Sequence, residues 1–229
     1  MRIVIMGGTS GIGLAAAEHL TAEGHEVTVT GRDPERLAAV KDRVHAAESV
    51  DGASVEQVAA FFDRLGSIDH LVLAFSPGAV GIGNLREIDL ADLRAGFDGK
   101  LFAYLSAIQK ARVSGSITMV SAASARAALP GTVTLAAVNG AIERIVPPLA
   151  AELAPVRVNA VSPGIVDTAW WSFLPPDQRE AQFAAAGQQV PAGRVGTGAD
   201  VAAAIGYLIG NDYATGVILP VDGGFTVAR

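Results

Sequence analysis

The feature that most constrains this chain is a glycine-rich segment that lies between an apolar run and a helical pattern. The run Arg2–Met6 leads into Gly-Gly-Thr-Ser-Gly-Ile-Gly at residues 7–13, and an alanine-rich helical pattern begins at Gly11. Glycines permit a tight turn and let the backbone approach a pyrophosphate, whose charge is stabilised at a helix N-terminus. A glycine-rich loop alone is weak evidence, since many turns contain glycine. Its position between a strand and a helix predicts a dinucleotide-binding unit.

Short apolar runs alternate with amphipathic or alanine-rich segments along the rest of the chain, a pattern typical of βαβ units around a parallel sheet. The predicted strands are Arg2–Met6, Glu26–Thr30, Glu48–Val50, His70–Ala74, Ser116–Ser121, Val156–Val161 and Val217–Val221. The predicted helices are Gly11–Glu23, Pro34–Val44, Ser54–Leu65, Leu90–Lys110, Thr134–Ala154, Pro175–Ala186 and Ala199–Ile209. We therefore predict a single α/β domain over residues 1–229, a Rossmann-type doubly wound parallel sheet of about seven strands.

The composition argues against several classes of function. The formal net charge is −6 at pH 7, with no block of basic residues, so no nucleic-acid partner is expected. The chain has no cysteine, which excludes a disulfide framework or a thiol nucleophile, and we expect no metal centre. No apolar run is long enough to cross a bilayer, and the first residues do not resemble a secretory signal. We expect a cytoplasmic protein without a membrane partner.

The end of the second predicted strand bears on the choice of cofactor. An acid at this place commonly binds the adenosine ribose of NAD, but the sequence reads Thr30-Gly31-Arg32-Asp33. Arg32 can bind a 2′-phosphate through two parallel hydrogen bonds, or it can be a solvated surface charge. Asp33 is predicted to cap the helix that begins at Pro34. The sequence therefore predicts NADP(H) as the cofactor.

With these segments the chain resembles the short-chain dehydrogenase/reductase family over nearly its whole length. Val50-Asp51 resembles a family element near the adenine, and residues 158–168 are similar to the segment that seats the nicotinamide carboxamide. Residues 215–216 and 221–224 look like the family's C-terminal strand and turn. The resemblance implies an NADP(H)-dependent oxidoreductase that assembles as a homotetramer or homodimer. The predicted cofactor-binding residues are Gly7, Thr9, Ser10, Gly11, Ile12, Gly13, Arg32, Asp51, Ala74, Phe75, Ser76, Pro163, Gly164, Ile165 and Thr168.

The catalytic residues of that family are missing from their expected positions. The family uses a Tyr-x-x-x-Lys pair, a serine and an asparagine, and the lysine ammonium lowers the pKa of the tyrosine, which acts as general acid and base. The tyrosine and lysine positions carry Leu135 and Asn139, the serine position carries Ala122, and the asparagine position carries Lys100. No Tyr-x-x-x-Lys occurs anywhere in the chain. The resemblance thus implies an atypical member with a non-classical active site.

Lys100, Ser121 and Asn139 are the candidate catalytic residues. If their helices pack side by side, Lys100 could reach the cofactor ribose or polarise a carbonyl; otherwise it is an exposed helix charge. Tyr104 follows Lys100 by four residues on the same helix face, and it can equally be a core aromatic. Either Ser121 or Ser124 could donate to a substrate carbonyl, although loop serines commonly satisfy backbone groups.

Residues 169–195 are predicted to form a small substrate lid. Trp170, Trp171 and Phe173 follow the nicotinamide-type segment, which suits a lid over a small, apolar carbonyl-type substrate. Ordinary packing of a short helix explains the same residues. We predict an NADP(H)-dependent oxidoreductase, and two alternatives stay open. One is a catalytically inactive or non-redox NADP(H)-binding protein, such as a sensor or a partner subunit. The other is a non-redox isomerase or lyase in the same cleft.

Overall fold

A computed structural model of the protein describes residues 1–227. Seven parallel strands form the main sheet in the order β3-β2-β1-β4-β5-β6-β9, and two short strands form a second sheet. The strands are β1 (Arg2–Met6), β2 (Glu26–Gly31), β3 (Ala46–Ser49), β4 (Ser67–Leu73), β5 (Arg112–Val120), β6 (Arg157–Pro163), β7 (Val166–Asp167), β8 (Gly196–Thr197) and β9 (Ile218–Val221). The helices are α1 (Gly11–Ala22), α2 (Pro34–Val40), α3 (Val55–Leu65), α4 (Leu90–Gly96), α5 (Ala103–Lys110), α6 (Val133–Glu152), α7 (Pro176–Gln189) and α8 (Gly198–Gly210).

Both faces of the sheet are covered, because the central strands are apolar on both sides. In β1, Ile3 and Ile5 pack on the face covered by α1 and α8, whereas Val4 and Met6 pack on the opposite face against α3, α5 and α6. Successive residues of a strand point to opposite faces, so one continuous apolar run supplies both cores. The predicted Rossmann-type sheet of seven parallel strands is confirmed.

The strand order reverses between β1 and β4. From β1 the chain proceeds through β2 to β3 on one side, and from β4 it proceeds through β5 and β6 to β9 on the other. Gly7 directly follows β1 and Ala74 directly follows β4, so the two loops leave the sheet at the same carboxyl edge. A crevice at such a reversal is where open α/β sheets bind ligands.

The structure differs from the sequence predictions in three places. The predicted helix Leu90–Lys110 contains a π-helical stretch, Phe97–Phe102, which separates α4 from α5. The second sheet, β7 with β8, was not predicted, because strands of two residues have no detectable periodicity. Several element ends move: the third strand is Ala46–Ser49 rather than Glu48–Val50, and a 3₁₀ turn replaces the last residues of the second predicted helix. Within residues 1–227, no helix combines the length and apolarity that a membrane span needs.

Candidate functional site

The loop after β1 has a backbone path that requires glycine. Gly7 has a φ of +83°, and a Cβ at Gly7 would lie 2.8 Å from both the backbone nitrogen and the Cβ of Phe75. A Cβ at Gly13 would overlap the carbonyl oxygen of Gly7. The backbone N–H groups of Gly7 and Gly8 donate to the carbonyl oxygen of Thr30, at 3.0 and 3.2 Å. The chain therefore folds tightly between β1 and the end of β2, and no larger residue fits at Gly13.

The N-terminus of α1 opens onto this loop without a side-chain cap. Ser10 precedes the helix with extended backbone angles, and its side chain makes no capping hydrogen bond. The first N–H groups of α1, at Gly11, Ile12 and Gly13, are thus not capped by that residue. Thr168 faces the loop from the other side, since a Cβ at Gly11 would lie 3.4 Å from the Thr168 Cβ. Uncapped helix donors and a close glycine backbone fit the pyrophosphate of a dinucleotide.

The next part of the crevice lies at the ends of β2 and β3. The side chain of Thr9 packs on Gly31, where a Cβ would lie 2.8 Å from the Thr9 Oγ1. Arg32 is exposed, and Asp33 is held by the N–H groups of Glu35 and Arg36, which confirms its predicted role as a helix cap. The Asp33 carboxylate is hydrogen-bonded to the N-terminus of α2 rather than paired with Arg32. The Arg32 guanidinium can therefore bind an anion at this end of the crevice.

Phe75 connects the loops after β3 and β4. A Cβ at Gly52 would lie 2.8 Å from the Phe75 ring, and that ring contacts the ring of Tyr104 edge-on at 4.9 Å between centroids. The preceding Ala74 lies against Gly7, and the Oγ of Ser76 accepts a hydrogen bond from Gly78 at 3.3 Å. In the loop after β3, the Asp51 carboxylate accepts from the Ala53 N–H at 3.1 Å. The predicted residues after β1, β3 and β4 thus converge on one crevice.

The segment after β6 closes the other side of that crevice. Gly164 packs on the final turn, where a Cβ would lie 2.8 Å from the Asp222 Cα, and its N–H donates to Val221 at 3.1 Å. The Ile165 carbonyl accepts from the Gly196 N–H at 2.8 Å. Pro163, Gly164, Ile165 and Thr168 are therefore held between β9 and the small sheet.

Lys100 and Asn139 contact each other across two helices. Lys100 lies in the π-helical stretch and is buried, and its Nζ donates to the Oδ1 of Asn139 in α6 at 2.7 Å. Burial lowers the pKa of the Lys100 ammonium to about 7. The amide nitrogen of Asn139 donates to the Leu135 carbonyl at 2.9 Å and to the Ser124 Oγ at 3.2 Å. The two helices do pack side by side at this point, and Lys100 is not an exposed helix charge.

The neighbouring contacts place this pair at the same edge of the sheet as the glycine loop. Gly99 packs on Pro77, two residues after Phe75. The Tyr104 hydroxyl lies 3.1 Å from the Phe75 carbonyl oxygen and 3.3 Å from the Val120 carbonyl oxygen. Tyr104 is fully buried, and this burial raises the pKa of its phenol above the usual value. Tyr104 is therefore a core aromatic that joins the ends of β4 and β5.

The serines that flank Ala122 have different surroundings. The Ser121 Oγ lies 3.0 Å from the Glu143 Oε1 and 3.2 Å from the Val161 carbonyl oxygen, and the side chain is buried. The hydroxyl of Ser124 is partly exposed and accepts from Asn139. The contribution of Glu143 was missed in the sequence. A usable signal was present, because Glu143 follows Asn139 by four residues and shares its helix face.

The aromatic residues after this segment pack on one another. Trp170 contacts Trp171 and Phe173 edge-on, with ring centroids 4.9 and 5.3 Å apart, and Trp171 contacts Phe183 of α7 at 5.7 Å. The Trp171 indole N–H donates to the Val166 carbonyl at 3.0 Å, and Phe173 is 47% exposed. Within residues 1–227, no cluster of three or more histidine, aspartate or glutamate side chains is arranged to hold a metal ion.

The sheet order and the glycine loop define a Rossmann-type α/β protein, and sequence comparison defines its family. The family described as Enoyl-(Acyl carrier protein) reductase matches residues 7–226. A 3-oxoacyl-[acyl-carrier-protein] reductase, MabA, from Mycobacterium bovis is 31% identical, over 97% of this chain and 91% of the relative. The short-chain dehydrogenase/reductase ATR9 of Stachybotrys chlorohalonatus is 29% identical, over 97% and 95%. The chain belongs to the short-chain dehydrogenase/reductase family.

Solved structures of family members superpose closely on this chain. A small-chain dehydrogenase in complex with NADPH has a TM-score of 0.87 and 30% identity, covering 100% of this chain and 99% of that one. The aldohexose dehydrogenase of Thermoplasma acidophilum, in ligand-free form, has a TM-score of 0.88 and 25% identity, with coverages of 100% and 94%. The similarity extends over the whole fold.

Proposed function

We propose that this protein is an NADP(H)-dependent oxidoreductase with a non-classical active site. The observation that carries the proposal is the buried hydrogen bond between Lys100 and Asn139, at the same sheet edge as the glycine loop. A buried cation with one hydrogen-bonding partner is a costly arrangement, and such arrangements cluster at functional sites. The family membership supports the oxidoreductase class.

The residues that would hold the cofactor follow from the crevice. The backbone of residues 7–13 with Ser10 and Thr9 would bind the pyrophosphate, and Arg32 would bind the 2′-phosphate. Asp51 and residues 74–76 would line the adenosine end, and residues 163–165 with Thr168 would hold the nicotinamide. When bound, NADPH supplies a hydride to the carbonyl carbon of a substrate. The NADPH complex of a similar small-chain dehydrogenase supports this choice of cofactor.

The remaining task of the protein is to supply a proton to the carbonyl oxygen. Ala122 and Leu135 carry no ionisable group, so neither can do this. Lys100 has a pKa of about 7 and is therefore present in both protonation states near neutral pH, as an efficient general acid requires. In our proposal its ammonium gives one proton to the developing alkoxide and is reprotonated by water. Asn139 orients the ammonium through its Oδ1.

The hydroxyl group that assists at the carbonyl oxygen would be that of Ser124 rather than Ser121. The Ser121 hydroxyl is engaged by Glu143 and Val161. Ser124 accepts from Asn139 and keeps its own proton for a substrate oxygen. Lys100, Asn139 and Ser124 would thus form one polar chain, in which each hydrogen bond strengthens the next.

The substrate would be a small, apolar carbonyl compound, and residues 169–195 would form its lid. The aromatic cluster of Trp170, Trp171 and Phe173 gives this segment an apolar surface. Phe173 contributes to that surface, because its side chain is 47% exposed. Pockets for small molecules are lined mainly by such side chains.

One observation favours a second candidate, a non-redox NADP(H)-binding protein such as a sensor or a partner subunit. Lys100 is only 9% exposed, and its ammonium is directed at Asn139. If the pair stays closed when ligands bind, the chain would hold the cofactor without turnover.

We also propose a homodimer or homotetramer. Leu90 and Phe102 are 65% and 55% exposed, and with Leu93 and Phe97 they line an apolar groove along α4 and the π-helical stretch. Apolar surface of this kind is typical of protein–protein contacts. Light scattering at micromolar concentration should give a multiple of the 23.4 kDa chain mass. A 23.4 kDa species alone would contradict the proposal.

The proposed function is tested with three proteins: the parent, Lys100→Met, and Lys110→Met as the matched control. Lys110 is an exposed lysine at the end of α5. NADPH binding is measured by titration, and NADPH oxidation is followed over a panel of carbonyl, enone and imine compounds. We expect all three proteins to bind NADPH, and only Lys100→Met to lose turnover, by about 10²- to 10⁴-fold. A parent that binds NADPH but turns over nothing favours the second candidate, and a parent that does not bind NADPH refutes both.

A further inference from the structure

Glu143 places a largely buried carboxylate at the carboxyl edge of the sheet, in a network that the proposed chemistry does not use. Its side chain is 12% exposed. The Oε1 atom accepts hydrogen bonds from the hydroxyls of Ser162 and Ser121, at 2.6 and 3.0 Å. The Oε2 atom lies 3.4 Å from the Arg126 Nε, and the Arg126 Nη2 donates to the Ser162 Oγ at 2.9 Å. Glu143, Arg126 and Ser162 thus form a closed triangle.

The triangle connects three segments through side-chain hydrogen bonds and an ion pair. Ser121 and Arg126 bracket the loop after β5, Glu143 belongs to α6, and Ser162 lies near the end of β6. Taking a carboxylate out of water is costly unless it is paired and hydrogen-bonded, and here both oxygens have partners. A single side chain therefore links a loop, a helix and a strand end.

Ser162 is the member closest to the proposed nicotinamide site. It directly precedes Pro163 and Gly164, and its hydroxyl donates to Glu143 while it accepts from Arg126, so its rotamer is determined from both sides. The same segment is held from behind by the final turn, because Gly164 packs on Asp222. Burial alone would raise the pKa of Asp222, but hydrogen bonds from Thr226 and Gly224 and the charge of Arg126 lower it. Arg126 therefore belongs to the triangle and also lowers the pKa of Asp222 in this turn.

We infer that Glu143 is a positioning residue for residues 162–168, which it holds in the conformation that receives the nicotinamide. The inference rests on the proposed function, because it assigns the nicotinamide end of the cofactor to this segment. It predicts an effect restricted to one end of the cofactor, since within the described residues Glu143 makes no hydrogen bond or ion pair with the glycine loop, Arg32 or Asp51.

The test compares two ligands that differ in the nicotinamide half. NADPH carries both halves, whereas adenosine 2′,5′-bisphosphate carries only the adenosine end with its 2′- and 5′-phosphates. Binding of each is measured by calorimetry to the parent, Glu143→Ala, Glu143→Gln and Ser162→Ala, with Glu152→Gln as the control. Glu152 is an exposed carboxylate at the end of the same helix. The fluorescence of bound NADPH gives a second readout that reports on the nicotinamide itself.

We expect Glu143→Ala to weaken NADPH at least tenfold and to change the affinity for the bisphosphate less than twofold. Glu143→Gln can still accept from Ser162, so it should recover part of the loss, and Ser162→Ala should show the same selectivity with a smaller effect. Equal weakening of both ligands, or unchanged NADPH binding in Glu143→Ala with unchanged fluorescence, overturns the inference. If the parent binds NADPH no more tightly than the bisphosphate, the nicotinamide half contributes no affinity, and the inference is overturned as well. A parent that binds neither ligand refutes the proposed function, and the inference falls with it.

Discussion

Arg157 and Lys100 are both buried cations, but they lie at opposite ends of the sheet and have different surroundings. Arg157, at the amino end of β6, is 8% exposed, and Lys100, near the carboxyl edge, is 9% exposed. The Arg157 guanidinium donates to the carbonyl oxygens of Leu208, Ile209 and Ala214 at 2.7 to 3.2 Å. Two of these carbonyls end α8, where the helix dipole favours a positive charge. Lys100 instead donates to the side-chain amide oxygen of Asn139.

The fold itself explains the burial of Arg157 better than that of Lys100. Arg157 satisfies carbonyl groups that the end of α8 would otherwise leave without partners, and this accounts for its burial. Lys100 satisfies one amide oxygen and pays a large desolvation penalty, which lowers its pKa to about 7. A group that the fold explains poorly is a better candidate for function. We therefore expect apolar substitutions of Arg157 and Lys100 to change stability in opposite directions.

The largest effect is expected on stability at Arg157. Arg157→Met removes the donors to two buried carbonyl groups and one partly buried carbonyl group, and should lower the free energy of unfolding by about 3–5 kcal/mol. Urea denaturation measures this change, with Arg144→Met as the control, because Arg144 is exposed on α6. A loss below about 1 kcal/mol would show that water replaces the guanidinium at no great cost.

Lys100→Met should change stability in the other direction. Below pH 7 the parent must hold a buried ammonium, and exchanging buried ion pairs for apolar residues of similar volume is neutral or stabilises proteins by about 1–4 kcal/mol. We expect Lys100→Met to fall at the lower end of this range, because the Asn139 oxygen loses its donor. Above pH 7 the folded parent releases this proton, while the unfolded chain keeps it up to its ordinary pKa of 10.5. The unfolded state then binds more protons, so the parent gains stability as pH rises, by at most about 1.4 kcal/mol per pH unit.

The measurement is urea denaturation of the parent and Lys100→Met at pH 6 and pH 9. The advantage of Lys100→Met should be largest at pH 6 and should shrink by pH 9. Lys110→Met serves as the reference for an exposed lysine. A variant that is less stable than the parent at pH 6 would mean that Lys100 is a structural cation like Arg157.

Arg32 is an exposed cation, in contrast to the two buried ones. Arg32→Ala should weaken NADPH binding by about 1.5–3 kcal/mol, the range for hydrogen bonds to charged groups, and should hardly change NADH binding. Its effect on unfolding should stay within about 0.5 kcal/mol, as for other surface positions. Arg36→Ala is the control, because Arg36 is also exposed and pairs with Asp33 at 3.4 Å. Tighter binding of NADH than NADPH by the parent would contradict the assignment.

The same contrast explains how much could be predicted from the sequence. The glycine loop and the helix cap at Asp33 are formed by residues that are neighbours in sequence. The pattern of residues 7–13 and the pair Asp33-Pro34 were therefore sufficient to predict them. The sheet followed from the apolar runs. The partners of Arg157 lie 51 to 57 residues away, and no local pattern indicates them.

The candidate catalytic residues could be predicted only in part. Family resemblance drew attention to Lys100 and Asn139, which are 39 residues apart, but their burial depends on how α6 packs against the π-helical stretch. The stretch itself has no sequence signal that distinguishes it from an α-helix. Ser121 was one of two serines expected to be able to donate to a substrate, whereas in the structure its hydroxyl donates to Glu143, 22 residues later. Ser124 was considered from the sequence, but its contact with Asn139 became known only from the structure. Glu143 was not considered, although it follows Asn139 by four residues on the same helix.

A pH dependence should separate the two buried cations by activity instead of stability. If Lys100 donates the proton in carbonyl reduction, kcat should be level below pH 7, where the ammonium is populated, and should fall about tenfold per pH unit above it. Stability of the parent should rise over the same range, so the loss of rate cannot be unfolding. NADPH oxidation under saturating substrate between pH 5.5 and 9 measures the profile. The residual rate of Lys100→Met should lack this fall, and a conservative Arg157→Lys variant that still folds should retain it. A parent profile that is flat between pH 6 and 9 would exclude Lys100 as the proton donor and leave it, like Arg157, a cation that serves the fold.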